Sequence, residues 1–183
     1  MTGFPADRDT QGYALPARIM HWLTAALVVV MLIVGVIIAN EWGGKAQDFL
    51  YSLHKSTGAL VLVLVLVRLA YRLGHKPPPL PDDIPDLQKL AAQATHWALY
   101  ALLIIQPLLG WAGTSAYPAP VSFYGLFDLP ALVAPNRALS DRLLGLHGLV
   151  GLTLAGLAAL HIGAALFHHF VRRDRVLLRM LSG

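Results

Sequence analysis

Cysteine is absent from this 183-residue chain. Its absence excludes disulfides, thiolate metal sites, iron–sulfur clusters and the C-x-x-C-H attachment of c-type haem. Any metal must therefore be held by histidine or oxygen ligands. Charge is scarce too. Only 13% of residues are Asp, Glu, Lys or Arg, against roughly 25% in a soluble domain. Apolar residues make up 56%. The missing charge belongs where water is absent, so membrane spans are the first thing to seek. The net charge of +4 is modest, and no nucleic-acid partner is expected.

Four spans can be read, at about 16–40, 48–72, 87–113 and 141–172. In the first, Leu23 to Ala39 is uncharged, and Pro16 suits a first helical turn. The second is the weakest by hydropathy, since only Ser56 to Val67 separates Lys55 from Arg68. Both side chains sit where they can snorkel to opposite interfaces. Pro107 should kink the third span. Ser140 is the expected N-cap of the fourth. Residues 41–47 read as a tight turn and Gly74–Pro85 as a rigid proline-rich loop. Residues 114–141 read as an aromatic interfacial lid that has room for a short helix.

Placing the N-terminus inside puts Arg8, Arg18, Arg68, Arg72, Lys76, Lys89, Arg172, Arg173, Arg175 and Arg179 on the inner side. Lys45, Lys55, Arg137 and Arg142 fall outside. That is a positive-inside bias, so both termini are expected in the cytoplasm. A long polar lead without an A-x-A site argues against reading the first span as a cleaved signal peptide.

A weak internal repeat accompanies the spans. His21-Trp22 and His96-Trp97 open the first and third, and Gly35 and Gly110 each follow the histidine by 14 residues. Leu53-His54 and Leu146-His147 open the second and fourth, each with a glycine four residues on, Gly58 and Gly151. This pattern reads as two helix pairs of the same topology.

Histidine is what the spans hold in place of other charge. Intramembrane ionisable groups are costly and are functional candidates by default. His147 and His161 are about 21 Å apart along one helix and within about 40° of one face. In a hydrocarbon core of about 30 Å they stand near opposite membrane faces. His54 enters at the level of His147; His21 and His96 both lie near the level of His161. The expected pairs are His54/His147 outside, and His161 with either His21 or His96 inside. Bis-histidine pairs on facing helices suit six-coordinate haem. A bare zinc or copper site would want further ligands nearby. Full axial ligation closes the iron to oxygen, which favours electron transfer over oxygenation. Propionates would need cationic partners: Lys55 and Arg142 outside, Arg18, Arg68 and Arg72 inside. His75 beside Lys76 is expected to be solvated, and His169 has no assigned role.

Taken together, "IMHW", "LHKSTG", the proline-rich loop, His96-x-x-x-Tyr100, LH-x13-H-x6-HH and the basic tail with "LLRML" resemble the bacterial cytochrome b561 family over nearly the whole chain. The resemblance implies an all-α integral membrane four-helix bundle, a single domain over 1–183, with two b-type haems between the helices. It implies His21 and His161 as ligands of the inner haem iron and His54 and His147 as ligands of the outer. His96 and His168, with Tyr100 nearby, then match positions by an inner quinone pocket. The family is similar in part to superoxide oxidases that pass electrons to ubiquinone, and in part to electron carriers. The "LHKSTG" segment and the "FYGLFDLPA" lid look closer to the carriers. The expected function is electron transfer in the bacterial inner membrane from an outer-side donor, superoxide or a periplasmic redox protein, to quinone. A haem-bearing anchor or carrier subunit for a separate periplasmic enzyme is the first alternative, and a histidine-lined metal transporter the second.

Overall fold

A computed structural model describes residues 12–81 and 83–182; Arg8, counted above among the inner charges, lies outside the described residues. Four long helices dominate: α1 (Leu15–Ala39), α2 (Gln47–Gly74), α3 (Asp86–Ala116) and α4 (Arg137–Phe167). Each is long and apolar enough to cross a membrane. In lipid no water satisfies stray backbone groups, so these runs must be helical. A 25-residue α1 spans about 37 Å at 1.5 Å per residue, enough for the hydrocarbon core. The four are an integral-membrane helical bundle in which α1 packs on α2, α2 on α3 and α3 on α4.

Local chemistry sets the boundaries. Pro16 stands in the first turn of α1 and Pro85 caps α3. Asn136 caps α4, its side chain accepting from the Leu139 amide at 3.0 Å. The cap is thus four residues earlier than the expected Ser140, because the asparagine oxygen already meets the first free amides. Ser140 lies inside the helix and donates to the Gly113 carbonyl at 2.9 Å, tying α4 to α3. Pro107 lies within α3 without ending it. The least apolar of the four spans is the third rather than the second. It carries Gln106, Pro107, Thr114 and Ser115 in its second half.

Short connections make neighbouring helices antiparallel. The α1–α2 turn and the α3–α4 connection share one end of the bundle, called here the hairpin end. The proline-rich loop, the start of α1 and the segment after α4 share the other, called the terminal end. Backbone bonding of Tyr13 N–H to the Arg179 carbonyl at 3.0 Å ties the last two together.

The aromatic connection contains no helix. It forms a β-hairpin, β1 (Val121–Phe123) and β2 (Phe127–Leu129). Tyr124 and Gly125 take φ values of +50° and +74° at its turn. Two successive left-handed residues match the right-handed strand twist, which makes a hairpin the stable solution here. After α4 the helix widens into a π-helical turn (His168–Arg172), ends at left-handed Arg173, and a short α5 (Leu178–Leu181) follows.

Few side chains are fully buried. The shared core is Val61, Val65, Tyr100, Leu103 and Leu154. Leu149, Leu152 and Leu160 of α4 and Ile33 of α1 face outward, as helices solvated by acyl chains require.

Candidate functional site

Two histidine groups form at the expected levels. At the hairpin end the rings of His54 and His147 face each other with centroids 6.0 Å apart and planes at 79°. Glycines make this approach possible. A Cβ on Gly35 would stand 3.3 Å from Cε1 of His54, and one on Gly110 would stand 3.0 Å from Cε1 of His147. Each ring is therefore seated on the glycine of the preceding helix. The two halves of the repeat do the same job, which gives that sequence pattern a physical meaning.

Gln106 completes this end. Nδ1 of His147 lies 2.9 Å from the Gln106 backbone carbonyl. A carbonyl only accepts, so Nδ1 carries the proton and Nε2 offers a lone pair. The Gln106 side-chain amide lies 3.3 Å from that Nε2. Nδ1 of His54 and Oε1 of Gln106 are buried without a hydrogen-bond partner.

At the terminal end three histidines gather. His161 lies 6.3 Å from His21, with planes at 88°, and 5.2 Å from His96, at 71°. Arg68 donates to Nδ1 of His21 at 3.0 Å and lies 5.3 Å over the Tyr100 ring. Arg72 lies over Trp97 and Tyr100. The three histidines, both arginines and Tyr100 border a cavity of about 1350 Å³. His168 lines the same cavity. Its floor comes from the proline-rich loop and the segment after α4, joined where Arg179 donates to the Pro79 carbonyl at 2.8 Å.

These spacings can be set against haem. Two imidazoles that shared one metal ion, each bonded at about 2 Å with its ring centre about 1 Å behind the nitrogen, would have ring centres about 6 Å apart. His54/His147 and His21/His161 fit that distance, and His96/His161 is short of it. Among the described residues, no group of three or more histidine or acid side chains is arranged to hold a bare metal ion. Paired imidazoles, buried polar atoms without partners and a large cavity between helices suit a flat cofactor.

The other expected residues fall as follows. Lys55 donates to the Pro120 carbonyl at 3.1 Å. It is joined by Ser56, whose hydroxyl donates to the Ser122 carbonyl at 2.7 Å and accepts from the Tyr124 amide at 3.0 Å. Thr57 and the Tyr124 hydroxyl lie 2.9 Å apart. Three consecutive residues of "LHKSTG" thus clamp the β-hairpin beside His54. Arg18 donates to the Leu181 carbonyl. His75 is exposed and stacks on Tyr71 with centroids 4.1 Å apart, while also lining the cavity. His169 packs edge-on against Phe170. Gln106 and Asp174 were not anticipated. Gln106 was visible as an amide in an apolar run, and Asp174 as the one acid of the basic tail.

Four membrane-length helices with facing histidines between them define a membrane b-type cytochrome, a protein that carries electrons on haem. The prokaryotic cytochrome b561 family profile matches residues 12–183, and the chain belongs to that family. It is 35% identical over 176 residues to cytochrome b561 homolog 2 of Escherichia coli (strain K12), covering 93% of this chain and 91% of that protein. It is 32% identical over 167 residues to the probable superoxide oxidase CybB of Yersinia pestis, covering 88% and 91%. It is 30% identical over 180 residues to cytochrome b562 of Cereibacter sphaeroides, covering 93% and 95%.

Proposed function

We propose that this cytochrome takes electrons at the hairpin end, passes them between two b-type haems, and reduces a membrane quinone in the terminal-end cavity. His54 and His147 hold one haem, and His21 and His161 the other. Haem, when bound, supplies a reversible one-electron centre. The protein's side chains supply ligands, exclude water and move protons. The observation that carries the reading is the cavity. Its volume of about 1350 Å³ exceeds the roughly 300–1,000 Å³ of a single small-molecule site, so a quinone has room beside a cofactor. His96 and His168 are the hydrogen-bonding groups for the quinone oxygens, with Tyr100 behind them.

Arg68 has a defined place in this reading. A guanidinium only donates, so its contact makes Nδ1 of His21 the acceptor and leaves the neutral ring's proton on Nε2. Ligation through Nε2 needs the opposite tautomer. If His21 held iron through Nε2, this contact would have to open, and Arg68 would then be available to a propionate.

The terminal end faces the cytoplasm of a bacterial cell, on the strength of its arginines and lysines. The electron donor is the open choice. Superoxide is the substrate that the Yersinia pestis relative's name suggests. A soluble redox partner, with this chain as its anchor or carrier, is favoured by the hairpin clamp. Lys45, Lys55, Arg137 and Arg142 at that end are matched by Glu41, Asp48, Asp128 and Asp141, and Arg137 pairs with Asp141 at 3.1 Å, so little net positive charge is left to draw in a small anion. Rapid mixing of the purified protein with superoxide and with quinone, following the haem bands, tests both. Haem reduction by superoxide and reoxidation by quinone supports the oxidase. Reoxidation by quinone without reduction by superoxide supports the carrier. Haems that quinone does not reoxidise would refute the cavity assignment.

A further inference from the structure

Beyond His168, the cavity wall continues into a polar chain that reaches water. Nδ1 of His168 lies 2.5 Å from Oδ2 of Asp174. Both side chains are largely buried, at 16% and 14% exposure. Nε of Arg172 lies 3.3 Å from the same oxygen, and its Nη2 reaches Asp83 at 2.9 Å. Asp83 is exposed. The π-helical turn is what makes the pairing possible. It brings His168 and Asp174 together across six residues, with Arg173 left-handed and the Asp174 amide donating back to the His168 carbonyl at 3.1 Å.

We infer that Asp174 is a positioning residue for proton delivery into the cavity, acting through His168. This rests on the quinone reading above. A carboxylate accepts from Nδ1, which leaves Nε2 as the nitrogen available to a molecule in the cavity. The carboxylate also fixes the tautomer and orientation of the ring, as an acid behind a histidine does in hydrolytic triads. Arg172 donates to the same oxygen at 3.3 Å, which holds the carboxylate in place behind the ring. Quinone reduction to quinol takes two electrons and two protons. The electrons arrive singly from the cytochrome, and each proton leaves Nε2 of the imidazolium for a quinone oxygen. The ring returns to its neutral Nδ1–H form and reloads from water at the terminal face.

The test compares His168→Gln, Asp174→Asn, Asp174→Glu and the double variant His168→Gln/Asp174→Asn in the haem-loaded protein, using a soluble short-chain ubiquinone. Asp174→Asn keeps an oxygen for the Val176 amide, which Oδ1 accepts at 3.0 Å. It is expected to lower kcat about tenfold with KM for quinone unchanged. Millimolar formic acid, a small proton donor, should restore part of the rate, and Asp174→Glu should restore most of it. The double variant should be no slower than His168→Gln alone, because the two act as a unit. If Asp174→Asn fails to load haem, Asp174→Ser and its double with His168→Gln carry the same comparison. A raised KM with unchanged kcat, or additive losses in the double variant, overturns the inference. If His168→Gln itself leaves quinone reduction untouched, the cavity assignment fails first. If His168→Gln is slow and Asp174→Asn is not, only the Asp174 role fails.

Discussion

At the hairpin end, two histidines are each pressed onto a glycine, one ring is fixed by a backbone carbonyl, and a clamped β-hairpin closes the surface. At the terminal end, three histidines and an arginine border a large cavity whose floor is made of loops. The same helices build both, so the contrast lies in what fills the space between them. A site packed by backbone cannot exchange its contents readily, whereas a site walled by long side chains and loops can. The first suits a permanently held centre and the second a centre that meets a diffusing substrate.

Removing a ligand histidine should have the largest effect. His147→Ala or His54→Ala should cost the hairpin-end haem and spare the other, halving haem per protein in an extracted-haem assay. Loss of the terminal-end haem instead would invert the assignment. Next comes the seat itself. Gly110→Val adds bulk where even a Cβ stands 3.0 Å from the His147 ring, so it should abolish haem at that end in the same assay. Gly35→Ala, with 3.3 Å to His54, should only broaden or shift its spectrum. At the terminal end, His168→Ala should keep both haems and slow quinone reduction about tenfold or more, read by stopped-flow. The smallest effect should be Tyr124→Phe, which removes the hydroxyl contact to Thr57. It should loosen the hairpin by about 1 kcal/mol, measured as faster amide exchange across β1 and β2.

Much of the bundle was legible because lipid leaves the chain few choices. Uncharged runs must be helical, and histidines 14 residues apart on one helix must point the same way at different depths. That reasoning paired His54 with His147 and left His161 to pair with either His21 or His96, and the rings of each grouping do lie near one another. Boundaries were less legible, since Asn136 and Ser140 are both good caps: Asn136 takes the first free amides, and Ser140 turns instead to the Gly113 carbonyl. The lid was misread in part. Its aromatic content suggested an interfacial segment with a short helix, while the Tyr-Gly pair, which takes left-handed geometry, specifies a hairpin. The dyad of His168 and Asp174 was hidden for a different reason. A six-residue separation does not bring side chains together on an α-helix, and the π-helical turn that achieves it has no signature in the hydrophobic pattern.

The tie between Tyr13 and Arg179 also bears on the order of assembly. Arg179 and Met180 help to floor the terminal-end cavity, and the Trp22 indole reaches the Met180 carbonyl at 3.0 Å. These residues leave the ribosome after α4 and therefore after every histidine of the cluster. The floor is therefore the last wall of the cavity to form, and it forms only when the segment after α4 meets the start of α1.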